Sequence, residues 1–137
     1  MATSRRKTLQ NGRNKHQGFT KLDHVIQDSI AFRDLSPHAV RILLEIMRRY
    51  NGKNNGTIPL SCREAATVAQ CGKSSAVRFF RELQEHGFIT KEKQGYFTVR
   101  DAAEWRLTFQ PDHRQGRNPA PSHDWREWKP EKTKEST

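Results

Sequence analysis

Apolar residues return every three or four positions over three stretches of the chain, and every second position over the stretch that follows. Val40, Ile42, Leu43, Leu44, Ile46, Met47 and Tyr50 cover more than half of a helical circumference, which predicts a central core helix from Pro37 to about Tyr50. Ser36 followed by Pro37 is a start signal: a hydroxyl cap, then a proline where no amide donor is needed. The run "NGKNNG" (51–56) stops that helix with residues that tolerate left-handed backbone. "TIPL" is suited to a short strand, which Pro59 confines to an edge. Ser61 and Glu64 form an S-x-x-E capping box opening a second helix through Val68 or Ala69. Its small-residue face, Ala65, Ala66 and Ala69, allows close approach of another helix. A turn at Gln70–Gly72 leads into a third helix running to about His86 and closed by Gly87, with Ala76, Phe79, Phe80 and Leu83 facing inward.

Beyond Gly87 the period changes to two. "FITKEK", "YFTVR" and "EWRLTF" read as extended segments, with Gln94–Gly95 as a hairpin turn. Trp105, Leu107 and Phe109 alternate with polar residues, as in a strand lying on a core. Upstream, Phe19, Leu22, Val25, Ile26, Ile30, Phe32 and Leu35 suffice for one or two short helical turns. Residues 1–18 show no apolar periodicity and are expected to be a disordered basic arm. Residues 111–137 turn to proline, charge and small polar residues and are expected to form a flexible tail. Its large apolar groups, Trp125 and Trp128, either fold back on the body or serve as a protein-docking motif. The expected organisation is thus an arm (1–18), an α+β domain (19–110) and a tail (111–137), with no internal repeat.

Charge narrows the choice of partner. The chain of 137 residues carries +10, and its pI is near 10.1. Arg5, Arg6, Lys7, Arg13 and Lys15, with no acid beside them, give the arm +5; residues 19–110 contribute +4 and residues 111–137 +1. Such a balance points to a polyanion, because each neutralised phosphate releases condensed counterions. No stretch reaches the ~20 apolar residues of a membrane span. The basic N-terminus has no apolar run after it, so a secretory signal is not expected. Two cysteines in that context fit a reducing, cytoplasmic setting.

Metal and catalytic chemistry find little footing. Cys62 and Cys71 are not a C-x-x-C pair, and His16, His24, His38, His86, His113 and His123 show no ligand spacing, so no metal or cofactor is expected. Cys62 falls on the first turn of the second helix, where the helix dipole can lower a thiol pKa, the setting a redox sensor would use. Cys71 is expected to be buried. His86, in the last helical turn, complements the dipole there. No glycine-rich phosphate loop, G-x-S-x-G or apolar acid pair appears, and an enzyme is not expected.

From Ser36 to Phe109 the order of helix, short strand, helix, tight turn, helix and hairpin resembles a winged helix-turn-helix domain. "LSPHAVRILLEIMRRYNG" is similar to the start of such domains in bacterial, phage and plasmid regulators and replication initiators. "KSSAVRFFRELQEHGFI" (73–89) resembles the recognition helix and first wing strand. In this chain Gln70 occupies the usual place of the turn glycine and Gly72 that of a Ser or Thr cap, which moves the expected bend to Gly72.

The resemblance implies sequence-specific binding of double-stranded DNA, with the front of the third helix in the major groove. It assigns Lys73, Ser74, Ser75, Val77 and Arg78 to that front. Arg78 would be the guanine reader, Val77 a contact to a thymine methyl, and Lys73 and Arg81 phosphate contacts. The competing assignment for Arg78 and Arg81 is solvated pairing with Glu82 and Glu85. Lys91, Lys93 and Arg100 on the wing, and Arg5, Arg6 and Lys7 on the arm, would lie along the backbone or in the minor groove. Transcriptional control in a bacterium or phage, with the protein nucleoid-associated, is the leading use. Origin binding in replication and a protein-interaction module anchored by Trp125 and Trp128 are the alternatives. A homodimer and a monomer are both open.

Overall fold

In a computed structural model the described residues are 18–94, 102–115 and 120–130. Arg5, Arg6, Lys7, Arg100, Gly95 and the "YFTVR" segment lie outside them. The chain is α+β: a group of helices beside a small antiparallel sheet of three strands.

The N-terminal apolar cluster forms two short helices, α1 (His24–Gln27) and α2 (Ile30–Asp34). They bury Ile26 and Ala31 and leave Val25 and Ile30 exposed. The Ser36 hydroxyl then accepts from the Ala39 amide at 3.3 Å, and α3 (Pro37–Arg49) follows with proline in its first turn. Its Ala39, Ile42, Leu43, Ile46 and Met47 are buried, whereas Leu44 faces outward. Asn54 caps the far end by donating to the Arg49 carbonyl at 3.0 Å.

Strand β1 (Ile58–Pro59) is an edge strand, and the order across the sheet is β1, β3 (Glu104–Leu107), β2 (Ile89–Lys93). Proline removes one ladder donor, which an edge tolerates. In register, Ile58 faces Trp105 on one side of β3, and Lys91 faces Trp105 on the other; a bulge falls between Lys91 and Lys93. Buried Asn55 locks β3 in place. Its Oδ1 accepts from the Leu107 amide at 2.7 Å, and its Nδ2 donates to the Leu107 and Gln110 carbonyls at 2.9 and 3.0 Å.

Helices α4 (Cys62–Ala69) and α5 (Lys73–Glu85) complete the core. The capping box is formed in both directions, with Glu64 N–H donating to Ser61 Oγ and Ser61 N–H donating to Glu64 Oε1, each at 3.1 Å. Ala65, Ala69, Ala76, Phe80 and Leu83 are buried where the helices meet each other and the sheet. Phe80 stacks on Trp105 with ring centroids 4.4 Å apart, and the Trp105 indole N–H donates to the Leu60 carbonyl at 3.0 Å.

Two expectations need correction. The bend between α4 and α5 falls at Gln70, whose φ of 57° and ψ of 53° are left-handed; Gly72 is extended and serves as the N-cap of α5. A side-chain residue takes the strained position there because the backbone closes the helix: the Gln70 and Cys71 amides donate to the Thr67 and Ala66 carbonyls. The packed body also continues past Gln110. Trp125, in a 3-10 turn at Asp124–Glu127, is 5% exposed and lies parallel to Phe88 at 6.4 Å, and Trp128 stacks on His86 at 4.4 Å. Folding back is therefore the arrangement found, and Trp125 is not free to anchor a partner. His86 does more than complement a dipole: it is buried, with Nδ1 2.8 Å from the Glu82 carbonyl and Nε2 2.8 Å from Asp34 Oδ2.

Candidate nucleic-acid interface

Apolar residues at 76, 80 and 83 turn one side of α5 into the core, which dictates what the other side shows. Lys73, Ser74, Val77, Arg78, Arg81 and Glu85 are all exposed and recur at helical spacing, while Ser75 is half-buried on the flank. The first three turns of this face carry cations and no carboxylate. With no side chain on the Gly72 cap, the α5 start bears no capping hydroxyl, and its dipole adds positive potential at the end where Lys73 sits.

Among the described residues, pairing within the helix does not absorb the charges of Arg78 and Arg81. Glu82 is turned to α3, accepting from the Ser36 amide at 2.7 Å and the Ser36 hydroxyl at 2.9 Å. Among the described residues neither Arg78 nor Arg81 forms an ion pair. Arg78 instead donates from Nη2 to Ser75 Oγ at 3.1 Å, and its guanidinium carbon lies 5.7 Å from the Phe79 ring centroid.

Strand β2 extends the basic surface. Lys91 is exposed; its ammonium lies 5.6 Å over the Trp105 ring and donates to Gln94 Oε1 at 3.2 Å. Lys93 is exposed two residues on. Glu92 between them is offset from the other direction. Burial pushes its carboxyl up, but hydrogen bonds from Thr90 and Arg114, with the charges of Arg114 and Arg106, outweigh this and leave it below the usual range. Arg114, bound at 2.7 Å to buried Asp112 and at 3.1 Å to Glu92, ties the segment after β3 to the strand.

The start of α5 and strand β2 converge near Cys62. Burial is the largest influence on its thiol and raises the pKa, while Lys91 and Lys73 both act to lower it. The expectation of a dipole-activated thiol is thus reversed in sign, because the half-buried sulfur loses more to desolvation than it gains from its neighbours. Cys71 is half-buried as well. Among the described residues no group of His, Cys, Asp and Glu is placed to hold a metal ion, and no helix is long and apolar enough to cross a membrane.

Lys73, Ser74, Val77, Arg78 and Arg81 therefore share one exposed face, with Ser75 on its flank and Lys91 and Lys93 on the neighbouring strand. Arg5, Arg6, Lys7 and Arg100 fall outside the described residues. Arg63, exposed on the first turn of α4, is a further cation absent from the expected set, although it lies two residues after the Ser61 cap. Compared with family models, curated proteins and solved structures, the chain matches none.

Proposed function

We propose that this protein binds double-stranded DNA sequence-specifically in the manner of a winged helix-turn-helix domain, in the service of transcriptional control. The N-terminal turns of α5 enter the major groove, which is about 12 Å wide and admits one helix. Arg78 addresses a base edge, Lys73 and Arg81 hold phosphates, and Lys91 and Lys93 follow the backbone beside the groove. The observation that carries this reading is the exposed, carboxylate-free front of α5, whose nearest internal acid, Glu82, is engaged by Ser36.

Binding of a random-core duplex pool, followed across a salt series, tests it. Log affinity is expected to fall linearly with log salt, by a slope of about −0.9 for each phosphate neutralised. Lys91→Ala is expected to weaken every duplex alike and make the slope shallower by about 1. A chain that retains no duplex at low ionic strength sinks the proposal.

A further inference from the structure

Arg78 and Arg81 are one turn apart on the same exposed face, yet among the described residues only Arg78 is supported. Its Nη2 donates to Ser75 Oγ at 3.1 Å, and its guanidinium carbon lies 5.7 Å from the Phe79 ring centroid. That ring is itself held: it stacks on His38 of α3 with centroids 5.0 Å apart and planes within 6°. The same flank of α5 is fastened again by Glu82, which accepts from both the amide and the hydroxyl of Ser36. The support for Arg78 thus involves two helices, through Phe79 of α5 and His38 of α3.

We infer that Ser75 and Phe79 are positioning residues that set the guanidinium of Arg78 before DNA arrives, so that Arg78 discriminates between bases whereas Arg81 contributes charge alone. This inference rests on the DNA-binding reading above. A long side chain that must be immobilised on binding loses affinity to rotamer entropy, and a side chain already held loses less. A guanidinium must also present its planar fork at a fixed angle to meet two acceptors of one base. A hydrogen bond at one edge and an aromatic ring 5.7 Å from the guanidinium carbon narrow the positions it samples. Ser75 is half-buried on the flank, which suits it to hold Arg78 rather than to reach a base itself.

The experiment compares wild type, Arg78→Ala, Arg81→Ala, Ser75→Ala and Ser75→Thr. For each, duplexes enriched from a random-core pool are sequenced, and the salt slope on the enriched site is measured. Arg78→Ala is expected to abolish preference at one base pair. Ser75→Ala is expected to lower the preference at that same base pair by about 2- to 10-fold, with the salt slope and melting temperature unchanged. Ser75→Thr, which keeps a hydroxyl, restores it. Arg81→Ala makes the slope shallower and leaves every base preference in place. If wild type and Arg78→Ala behave as stated but Ser75→Ala keeps full preference, the positioning role is wrong and the DNA-binding reading stands. If Ser75→Ala instead weakens all duplexes equally, Ser75 is an ordinary backbone contact and the inference is likewise overturned. If wild type enriches no duplex, both readings fail together.

Discussion

Glu82 follows Arg81 directly and lies one turn beyond Arg78, so a helical wheel offers it as their counter-ion, but both of its oxygens face Ser36. An accepted bond from a backbone amide plus one from a hydroxyl is worth more to a carboxylate than an exposed pair with a mobile arginine, which contributes about 0–1 kcal/mol. That preference is what leaves the front of α5 cationic. Glu64 shows the same chemistry with a measurable signature. The hydrogen bond from the Ser61 amide is the largest influence on it, and with the Arg49 charge and hydrogen bonds it outweighs burial and holds the carboxyl below the ordinary glutamate range. A lowered folded-state pKa adds stability that is present above the unfolded pKa and is lost as pH falls through the folded one. Urea denaturation of wild type and Glu64→Gln, repeated from about pH 6 to about pH 3, should show the wild type losing its advantage below about pH 4.3. The size of that advantage is modest, because the Glu64 side chain is 48% exposed and its charges are screened.

At the level of elements, chemistry confined to a few neighbouring residues could be read from the chain, and long-range pairing could not. The starts of α3 and α4 follow from Ser36–Pro37 and from Ser61 with Glu64, because a cap is a bond between residues three apart. The edge position of β1 follows from Pro59. The register of β3 does not, since it is fixed by Asn55, fifty-two residues before Leu107. The face of α5 was legible from its apolar spacing, but the hold on Arg78 was not, because Phe79 depends on His38 from another helix. The bend before α5 departs from expectation for a related reason. Glycine is the residue that suits left-handed backbone best, yet the backbone places that conformation at Gln70. Gln70→Gly should therefore stabilise the protein by up to about 1 kcal/mol, the relief of left-handed strain exceeding the added freedom of the unfolded chain. Gly72→Ala should lack that gain, because the restriction it places on the unfolded chain is offset by putting alanine at the N-cap of α5, where glycine is preferred. Chemical denaturation midpoints of the two variants decide between a bend at Gln70 and one at Gly72.

On the scale of the whole molecule, a small helical domain with a three-stranded sheet has limited apolar area to bury, and the segment after β3 adds to it. Composition concealed this, because proline and charge surround Trp125 and the sequence gives no period there. What admits the segment is a glycine far from it in the chain. Gly87 has a φ of +85°, and a Cβ placed on it would come within 2.7 Å of the Asp124 carbonyl carbon and the Trp125 amide nitrogen. The backbone of the C-terminal segment thus passes directly over the end of α5, where Thr108 Oγ1 also donates to the Gly87 carbonyl at 2.7 Å and the His123 amide donates to the Thr108 carbonyl at 2.8 Å. Removing the buried indole in Trp125→Ala should cost about 3–5 kcal/mol. Gly87→Ala should cost about 1–2 kcal/mol from left-handed strain and more from the contact it forbids. Because both changes undo the same docking, the double variant should be less destabilised than the sum of the two by well over the ~0.5 kcal/mol expected of independent sites. Urea denaturation of the four proteins closes the cycle. Strict additivity would mean that the glycine and the tryptophan stabilise the fold separately, and that the close passage of the segment over α5 contributes nothing.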